Sequence, residues 1–379
     1  MSASAKLMHS IELPILGTMT MGKQLTEAQS HSILDSFVDK HRGVWIDCAE
    51  IYPVPVHEST RGHTEQIVGN WLKLRVAKDA KFRSKIALAS KVAGPSPSTG
   101  YSKREAQDFT KTVINQALEE SLQRMNTTYL DLYQLHWPSR AVPLWGEEKF
   151  TQDLKDGKYG MRNNTNPPVP FDDIVATMGE LLAEGKILSW GLSNETAFGL
   201  CQFAESSKRL GVLPPLSLQQ DFSLLDRRAD GALAECLFHL DIKFLSYGPL
   251  AGGTLTGKYM NLDDDVTAPK RIKLEACRHL LFPKFQARYH SPAAFEATSK
   301  YAIVAKKHGL TLTQLALGFC ATRHYMANGN GGVIFGANDL ITLDENMQGV
   351  VDASKFWTEQ IEQDVLEVHQ QRPNPNVLY

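Results

Sequence analysis

The feature that most constrains this chain is a regular alternation of short apolar runs with stretches of helical character. VWIDC at 44–48, KIALASKV at 85–92 and ILSWGLS at 187–193 read as strands, and each is followed by apolar residues at helical spacing. Such alternation implies parallel strands joined by helical crossovers. About eight such units in one chain predict a closed (β/α)8 TIM barrel rather than an open sheet. We expect a single domain over residues 1–379.

An open doubly wound sheet is the alternative fold. Its first strand is normally followed by G-x-G-x-x-G, whereas the sequence here is GTMTMG at 17–22. Two long loops, 138–171 and 248–291, follow the fourth and seventh predicted strands. Barrel enzymes keep their sites at the end where such loops lie, so both are predicted to be active-site or cofactor loops.

The net charge and the cysteine content limit the binding partners and the cellular compartment that we expect for this protein. A net charge of −2 offers no attraction for nucleic acid or acidic membranes, and no apolar run is long enough to span a bilayer. The five cysteines are scattered without a CxxC pair, which favours a reducing compartment and argues against a metal site. We expect a cytoplasmic protein, with an organelle form that has lost a transit peptide as the alternative. The oligomeric state is left open.

Four polar residues stand at predicted strand ends or just beyond them: Asp47, Tyr52, Lys91 and His136. Because the carboxyl ends of neighbouring strands meet at one mouth of a barrel, these side chains are expected to share a pocket. A lysine beside a phenol favours the phenolate, and an aspartate keeps that lysine charged. A histidine there can orient a carbonyl group. Together the four residues indicate an enzyme that reduces an aldehyde or ketone, with Tyr52 as the proton donor and a nicotinamide as the hydride source.

The motifs that carry these residues resemble the aldo-keto reductase family. DCAEIYP, LASKV and DLYQLHWP are similar to the family segments bearing the catalytic Asp, Tyr, Lys and His, and the likeness extends from GTMTMG to GANDLITLDENM. The chain most resembles the branch that contains Tas-like bacterial oxidoreductases and potassium channel β subunits. The β subunits have Asn where this chain has His136, so the resemblance favours an enzyme. The alternative is an NADP(H)-binding, redox-sensing regulatory subunit.

The resemblance also implies cofactor contacts for residues spread along the chain. Gly248 departs from the family's usual serine, a change expected to remove one hydrogen bond to the cofactor. Thr342 stands where relatives often have Arg or Gln, which leaves a 2′-phosphate to Lys258 and Arg278 and still favours NADP(H). Tyr52, His136 and Trp137 are expected to contact a small-molecule carbonyl substrate. The implied cofactor-binding residues are Gly17, Thr18, Met19, Asp47, Ser193, Asn194, Gln219, Tyr247, Gly248, Pro249, Leu250, Ala251, Gly253, Lys258, Arg278, Gly336, Asn338, Thr342, Glu345 and Asn346.

Overall fold

Eight parallel strands close into a barrel in chain order. The structure is a computed structural model that describes residues 14–95, 108–151, 168–260, 277–325 and 331–377. Strand β1 pairs with both β2 and β8, so the predicted (β/α)8 barrel is confirmed and the open sheet is wrong. The strands are β1 (Ile15–Gly17), β2 (Trp45–Asp47), β3 (Ala87–Val92), β4 (Leu132–Leu135), β5 (Trp190–Ser193), β6 (Ser217–Asp221), β7 (Lys243–Tyr247) and β8 (Gly331–Phe335).

The helices of the described ranges surround this barrel. They are α1 (Glu27–Asp35), α2 (His63–Lys78), α3 (Lys111–Arg124), α4 (Phe171–Ala183), α5 (Ala197–Leu210), α6 (Ala232–Leu240), α7 (Arg278–Leu281), α8 (Pro292–Lys307), α9 (Leu312–Ala321), α10 (Leu340–Val351), α11 (Ala353–Phe356) and α12 (Glu359–Gln371). None of the helices in these ranges combines the length and the apolar character needed to cross a bilayer.

Local sequence signals account for where several helices begin. Thr26 and Gln29 form a capping box at α1, with the Gln29 backbone N–H donating to Thr26 Oγ1 over 3.3 Å. The helical segment over 353–371 is interrupted between α11 and α12. Its backbone is extended at Trp357, and Thr358 caps a new helix by accepting from the Ile361 N–H. An N-cap side chain satisfies a backbone donor that a continuous helix would have used internally.

The period of two along the strands separates two apolar clusters. Ile15, Trp45, Ala89, Leu132 and Leu245 belong to the cluster inside the barrel, while the larger cluster lies between the strands and the helices. The positions two residues further along these strands have the same orientation and lie at the carboxyl end of the barrel. In β2, β3 and β7 those positions are Asp47, Lys91 and Tyr247.

The two predicted loops begin after β4 and β7 as expected. Residues 152–167 of the first and 261–276 of the second lie outside the described residues. The second loop carries structure of its own in its described parts. A 3-10 segment covers Ala251–Thr256, α7 follows at 278–281, and another 3-10 segment covers Ala287–His290.

Candidate active site

A buried ion pair occupies the base of the barrel mouth. Lys91 Nζ lies 2.7 Å from Asp47 Oδ2 and donates to the Cys48 carbonyl oxygen over 2.6 Å. Both side chains are almost completely removed from solvent. A buried charge is costly unless it is paired, and Asp47 is the carboxylate that pairs with Lys91 here.

The second oxygen of Asp47 is held by two glutamines from the strands opposite. Gln219 Nε2 donates to Asp47 Oδ1 over 3.0 Å, and Gln134 Nε2 lies 3.4 Å from the same oxygen. Gln219 was expected to contact the cofactor, and in this structure its amide is bonded to Asp47. Gln134 was not identified from the sequence. Its signal was the period of two in YLDLYQLH, which gives Gln134 the same orientation as His136.

Tyr52 and His136 lie beside this ion pair. Lys91 Nζ is 5.2 Å from the centre of the Tyr52 ring, and the Tyr52 and His136 rings meet edge-on with centroids 5.9 Å apart. The structure therefore brings the four residues predicted from the sequence together. Within the described part of the chain, His136 Nδ1 is buried without a hydrogen-bond partner.

The pKa of Tyr52 is shifted in the direction opposite to the one expected from a neighbouring lysine, and the pKa of His136 is shifted as well. Burial, and next the charge of Asp47, raise the pKa of Tyr52 well above that of a free phenol. Lysine alone would favour the phenolate, but here loss of solvation is the larger effect. Burial and then Lys91 hold the pKa of His136 well below its usual value. Tyr52 is thus a protonated phenol and His136 a neutral imidazole at neutral pH.

Asn194 connects three strands at the same mouth. Its Nδ2 donates to the His136 carbonyl oxygen over 2.9 Å and lies 3.1 Å from Ser193 Oγ, while its Oδ1 accepts from the Tyr247 hydroxyl over 2.6 Å. Its backbone is left-handed, with φ of 55°, which asparagine tolerates better than most residues. The carboxylate of Glu195, the next residue, accepts hydrogen bonds from Nη1 and Nη2 of Arg140, which ties the turn to Arg140.

A cavity of about 630 Å³ opens above these groups and extends across the carboxyl ends of the strands. Lys91, Ala251 and Glu345 are absent from its wall, and the predicted cofactor contacts of Ala251 and Glu345 stay predictions. The predicted residues that line it are Gly17, Thr18, Met19, Asp47, Tyr52, His136, Trp137, Ser193, Asn194, Gln219, Tyr247, Gly248, Pro249, Leu250, Gly253, Lys258, Arg278, Gly336, Asn338, Thr342 and Asn346.

Glycines and two cations form one end of this cavity. Gly252 and Gly253 have φ of 64° and 101°, and a Cβ on Gly253 would lie 2.5 Å from Lys258 Cε. The Arg278 guanidinium donates to Gln286 Oε1 over 3.3 Å. Burial lowers the pKa values of both Lys258 and Arg278, and in the described ranges neither cation has a carboxylate among its electrostatic neighbours. Two poorly solvated cations with no carboxylate partner among the described residues fit the phosphates of a dinucleotide.

Gly248 also has a structural reason for lacking a side chain. Its φ is 69°, and a Cβ there would lie 2.9 Å from Asp221 Oδ1 and 3.1 Å from the Tyr289 hydroxyl. Tyr289 donates to Asp221 Oδ2 over 2.5 Å, and Arg288 Nη2 lies 2.8 Å from the same oxygen. This buried cluster occupies the space beside Gly248. Arg288 and Tyr289 line the cavity, and the sequence pattern did not identify them because they come from an irregular loop.

The far end of the cavity is built on β8 and α10. Asn346 Nδ2 donates to the Gly336 carbonyl oxygen over 3.0 Å, and Asp339 caps α10 by accepting from the Thr342 N–H over 2.7 Å. Gly336, Asn338, Thr342 and Asn346 face the cavity, as the resemblance implied. The uncharged Thr342 contributes no cation at this end.

Aromatic and aliphatic side chains form another part of the cavity wall. Trp137 is buried and packs edge-on against Trp145, with centroids 5.7 Å apart. Trp145 reaches the cavity, as predicted for the first loop, whereas Phe150 is exposed and does not line it. The wall also includes Val54 and Phe285, which sequence patterns did not single out.

Comparison with known proteins gives the class to which this site belongs. The model of the Aldo/keto reductase family matches residues 15–363, so the chain belongs to that family and is an oxidoreductase. Among its relatives, Protein tas of Escherichia coli strain K12 is 35% identical over 335 residues, which cover 88% of each chain. An aldo-keto reductase of Babesia bovis is 33% identical over 290 residues, covering 76% of this chain and 96% of that one. Human aflatoxin B1 aldehyde reductase member 4 is 27% identical over 266 residues, covering 70% and 66%.

Proposed function

We propose that this chain reduces aldehydes and ketones to alcohols with NADP(H), and that Tyr52 donates the proton. The observation that carries the proposal is the position of Lys91. Its ammonium is bonded to Asp47 and lies 5.2 Å from the Tyr52 ring centre, directly beneath a cavity that Tyr52 and His136 line. A proton donor and its charge support thus meet at one solvent-shielded point.

Each of the four residues has a distinct part in this chemistry. Tyr52 starts as a neutral phenol because burial raises its pKa. When the phenol gives up its proton, the nearby Lys91 ammonium stabilises the phenolate that is left, an interaction stronger in the transition state than before it. Asp47 keeps that ammonium charged. His136 is neutral and can offer a hydrogen bond to the carbonyl oxygen without adding a charge that would compete with Lys91.

The cavity end with Lys258 and Arg278 supports a phosphorylated dinucleotide as the partner of this chemistry. A bound nicotinamide would supply the hydride that the protein side chains lack. The glycines at 248, 252 and 253 let the backbone come close to a pyrophosphate, and the two cations have no carboxylate neighbour in the described ranges. Two cations match the extra phosphate of NADP(H) better than the hydroxyl of NAD(H).

The aromatic wall favours a bulky or aromatic carbonyl as substrate. Trp137, Trp145 and Tyr52 present flat apolar surfaces to the cavity. Such surfaces gain more from contact with a large apolar ligand than with a small polar one. The name of the human relative, which refers to an aldehyde of a large aromatic compound, agrees with this choice.

Turnover with a reporter aldehyde tests the proposal. Purified protein, NADPH and para-nitrobenzaldehyde should consume NADPH, and the Tyr52→Phe variant should lose about 10² to 10⁴ of the rate while binding NADPH within about twofold of wild type. A panel of other aldehydes and diketones guards against a poor choice of substrate. Unchanged activity of Tyr52→Phe would contradict the mechanism.

The same experiment separates the enzyme from the redox-sensing regulatory subunit. A very slow hydride step with tightly retained NADP(H) across the whole panel would favour the regulatory subunit. Rapid release and many turnovers per molecule would favour the enzyme.

A further inference from the structure

Two cysteines on neighbouring helices come close together outside the cavity. Cys201 on α5 and Cys236 on α6 have their sulfur atoms 3.9 Å apart. Cys201 is exposed and Cys236 is half-buried, whereas Cys48, Cys277 and Cys320 are buried. The pair is therefore the part of the cysteine set that reagents in solution can reach.

The geometry suits a covalent bond between the two sulfurs. A disulfide needs the sulfurs at about 2.0 Å, so a modest approach from 3.9 Å would suffice. Side-chain rotation about the Cα–Cβ bond of an exposed cysteine moves its sulfur by more than that. The two residues are far apart in sequence and were scattered in the sequence pattern, so only the packing of α5 on α6 brings them together.

We propose that Cys201 and Cys236 form a dithiol site that peroxides oxidise to an intramolecular disulfide. Cys201 releases its proton, and the thiolate attacks one oxygen of hydrogen peroxide. The O–O bond breaks to give a sulfenic acid and hydroxide, and the hydroxide takes up the released proton to form water. The Cys236 sulfur then attacks the sulfenic sulfur, and the hydroxyl group leaves as a second water. Two thiols and one peroxide thus yield one disulfide and two waters.

The solvent exposure of the two sulfurs indicates which cysteine reacts with the peroxide and which one then closes the disulfide. Cys201 is the more accessible sulfur and is the one that meets the oxidant first. Burial, followed by the neighbouring Cys201, raises the pKa of Cys236 to about 11, so Cys236 is mostly a thiol at neutral pH. A protonated, partly covered thiol is a poor first reactant but is well placed to resolve a sulfenic acid formed next to it.

The site is independent of the proposed reduction chemistry, and its effect on the fold is local. The disulfide would join α5, which follows the Ser193–Asn194 turn, to α6, which precedes β7. Disulfides of reducing compartments are most often reversible and redox-sensing, in line with the exposure of this pair.

Mass spectrometry of the full chain tests the proposal. The reduced protein, treated with hydrogen peroxide and digested without reductant, should lose the mass of two hydrogens and give one peptide pair joined through Cys201 and Cys236. Cys236→Ser should instead show a sulfenic acid at Cys201 that dimedone traps. Cys201→Ser should react at least about tenfold more slowly.

Three results would overturn the proposal. They are sulfinic acid at Cys201 without a joined peptide, a disulfide between two molecules, and no reaction at all in the folded protein. Thermal melting of both serine variants checks that they fold like wild type.

A trivalent arsenical measures the proximity of the thiols without any oxidation. One arsenic of phenylarsine oxide binds two neighbouring sulfurs, and such an adduct survives excess monothiol. The wild-type protein should retain one equivalent, whereas Cys201→Ser and Cys236→Ser should each retain less than about one tenth of that. Equal retention by the single variants would show that the two sulfurs do not act together.

Discussion

The two ends of the cavity treat positive charge in opposite ways. At the catalytic end, Lys91 is fully buried and bonded to Asp47, whose other oxygen is held by Gln219. At the glycine-rich end, Lys258 and Arg278 have no carboxylate neighbour in the described ranges, and burial lowers their pKa values. At one end the cation is paired within the protein, whereas in the described ranges the cations at the other end have no carboxylate partner.

This difference fits the function that we propose for each end. A group that stabilises a phenolate must be charged and oriented before the reaction, since reorganisation during it would raise the barrier. A phosphate-binding end gains most when its cations are not already neutralised by the protein. The comparison can be tested because removing a cation should lower stability at the catalytic end and leave it unchanged at the glycine-rich end.

The largest effect is expected from Lys91→Met. It leaves the Asp47 carboxylate buried without its cation, which should reduce the free energy of unfolding by about 3 to 5 kcal/mol. The rate of carbonyl reduction should fall by about 10² or more, because the phenolate of Tyr52 loses its support. Urea unfolding and steady-state kinetics measure the two quantities.

The double variant Lys91→Met with Asp47→Asn is the control for this prediction. It removes the stranded charge, so most of the lost stability should return while the activity stays low. Recovery of activity together with stability would mean that Lys91 acts only by maintaining the fold.

Arg278→Met should have the opposite profile. NADPH affinity should fall by about tenfold to a hundredfold, the loss expected for a charge-assisted hydrogen bond, while the unliganded protein keeps its free energy of unfolding. The preference for NADPH over NADH should shrink in parallel. Fluorescence titration with each cofactor and urea unfolding without cofactor provide the measurements.

Arg209→Met is the matched control, because Arg209 is an exposed arginine paired with Asp172 on the outside of the barrel. It should change neither cofactor affinity nor stability, because an exposed ion pair contributes little to either. If Arg278→Met destabilises the unliganded protein as much as Lys91→Met does, the contrast between the two ends is wrong.

Acid should weaken the glycine-rich end through His279. Burial, and then the nearby His290, lower the pKa of this imidazole from 6.5 to about 4. Its neutral form is favoured in the folded state, so the contribution to stability is complete above pH 6.5. It is lost as the pH falls toward 4, by no more than about 3 kcal/mol.

Urea unfolding of wild type and His279→Gln across this pH range measures the loss. The slope with pH should be smaller in the variant, and the exposed His57→Gln should behave like wild type. Bound NADP(H) should lessen the acid loss, since its phosphates would offset a third cation beside Gly252. A wild-type slope that is unchanged in His279→Gln would contradict the assignment.

The smallest effect concerns Gly248, where the family usually has serine. Gly248→Ser and Gly211→Ser both place a side chain at positive φ, which costs roughly 1 to 2 kcal/mol. Only at Gly248 would the new Cβ meet Asp221 and Tyr289, because nothing lies within 4 Å of the one at Gly211. Gly248→Ser should therefore be the more destabilising by about 1 kcal/mol, without better NADPH binding. If both variants lose the same stability, or if Gly248→Ser binds NADPH more tightly, then Asp221 and Tyr289 do not explain the glycine, and the protein only lacks the hydrogen bond of the usual serine.

Much of the catalytic end could be predicted from the sequence because strands impose a period of two and a common direction. Asp47, Lys91 and His136 lie at the carboxyl ends of apolar strands or directly beyond them, so a closed parallel barrel brings them to one mouth. Several residues of the glycine-rich end could not be predicted from strand periodicity. Arg288, Tyr289 and Phe285 come from an irregular loop whose path depends on contacts distant in sequence, and no local periodicity marks them.

By itself, the amino-acid sequence determined the alternation of strands and helices, the helix start at Thr26 and the residue types at the strand ends, since these depend on local propensity and spacing. The tertiary structure alone decided three other things. It placed the Asp221 carboxylate close to where a Cβ of residue 248 would lie, and it brought Cys201 next to Cys236. It also raised the pKa of Tyr52 despite the neighbouring lysine. Each of these depends on which distant groups exclude water from one another, and solvent exclusion is a property of the packed chain.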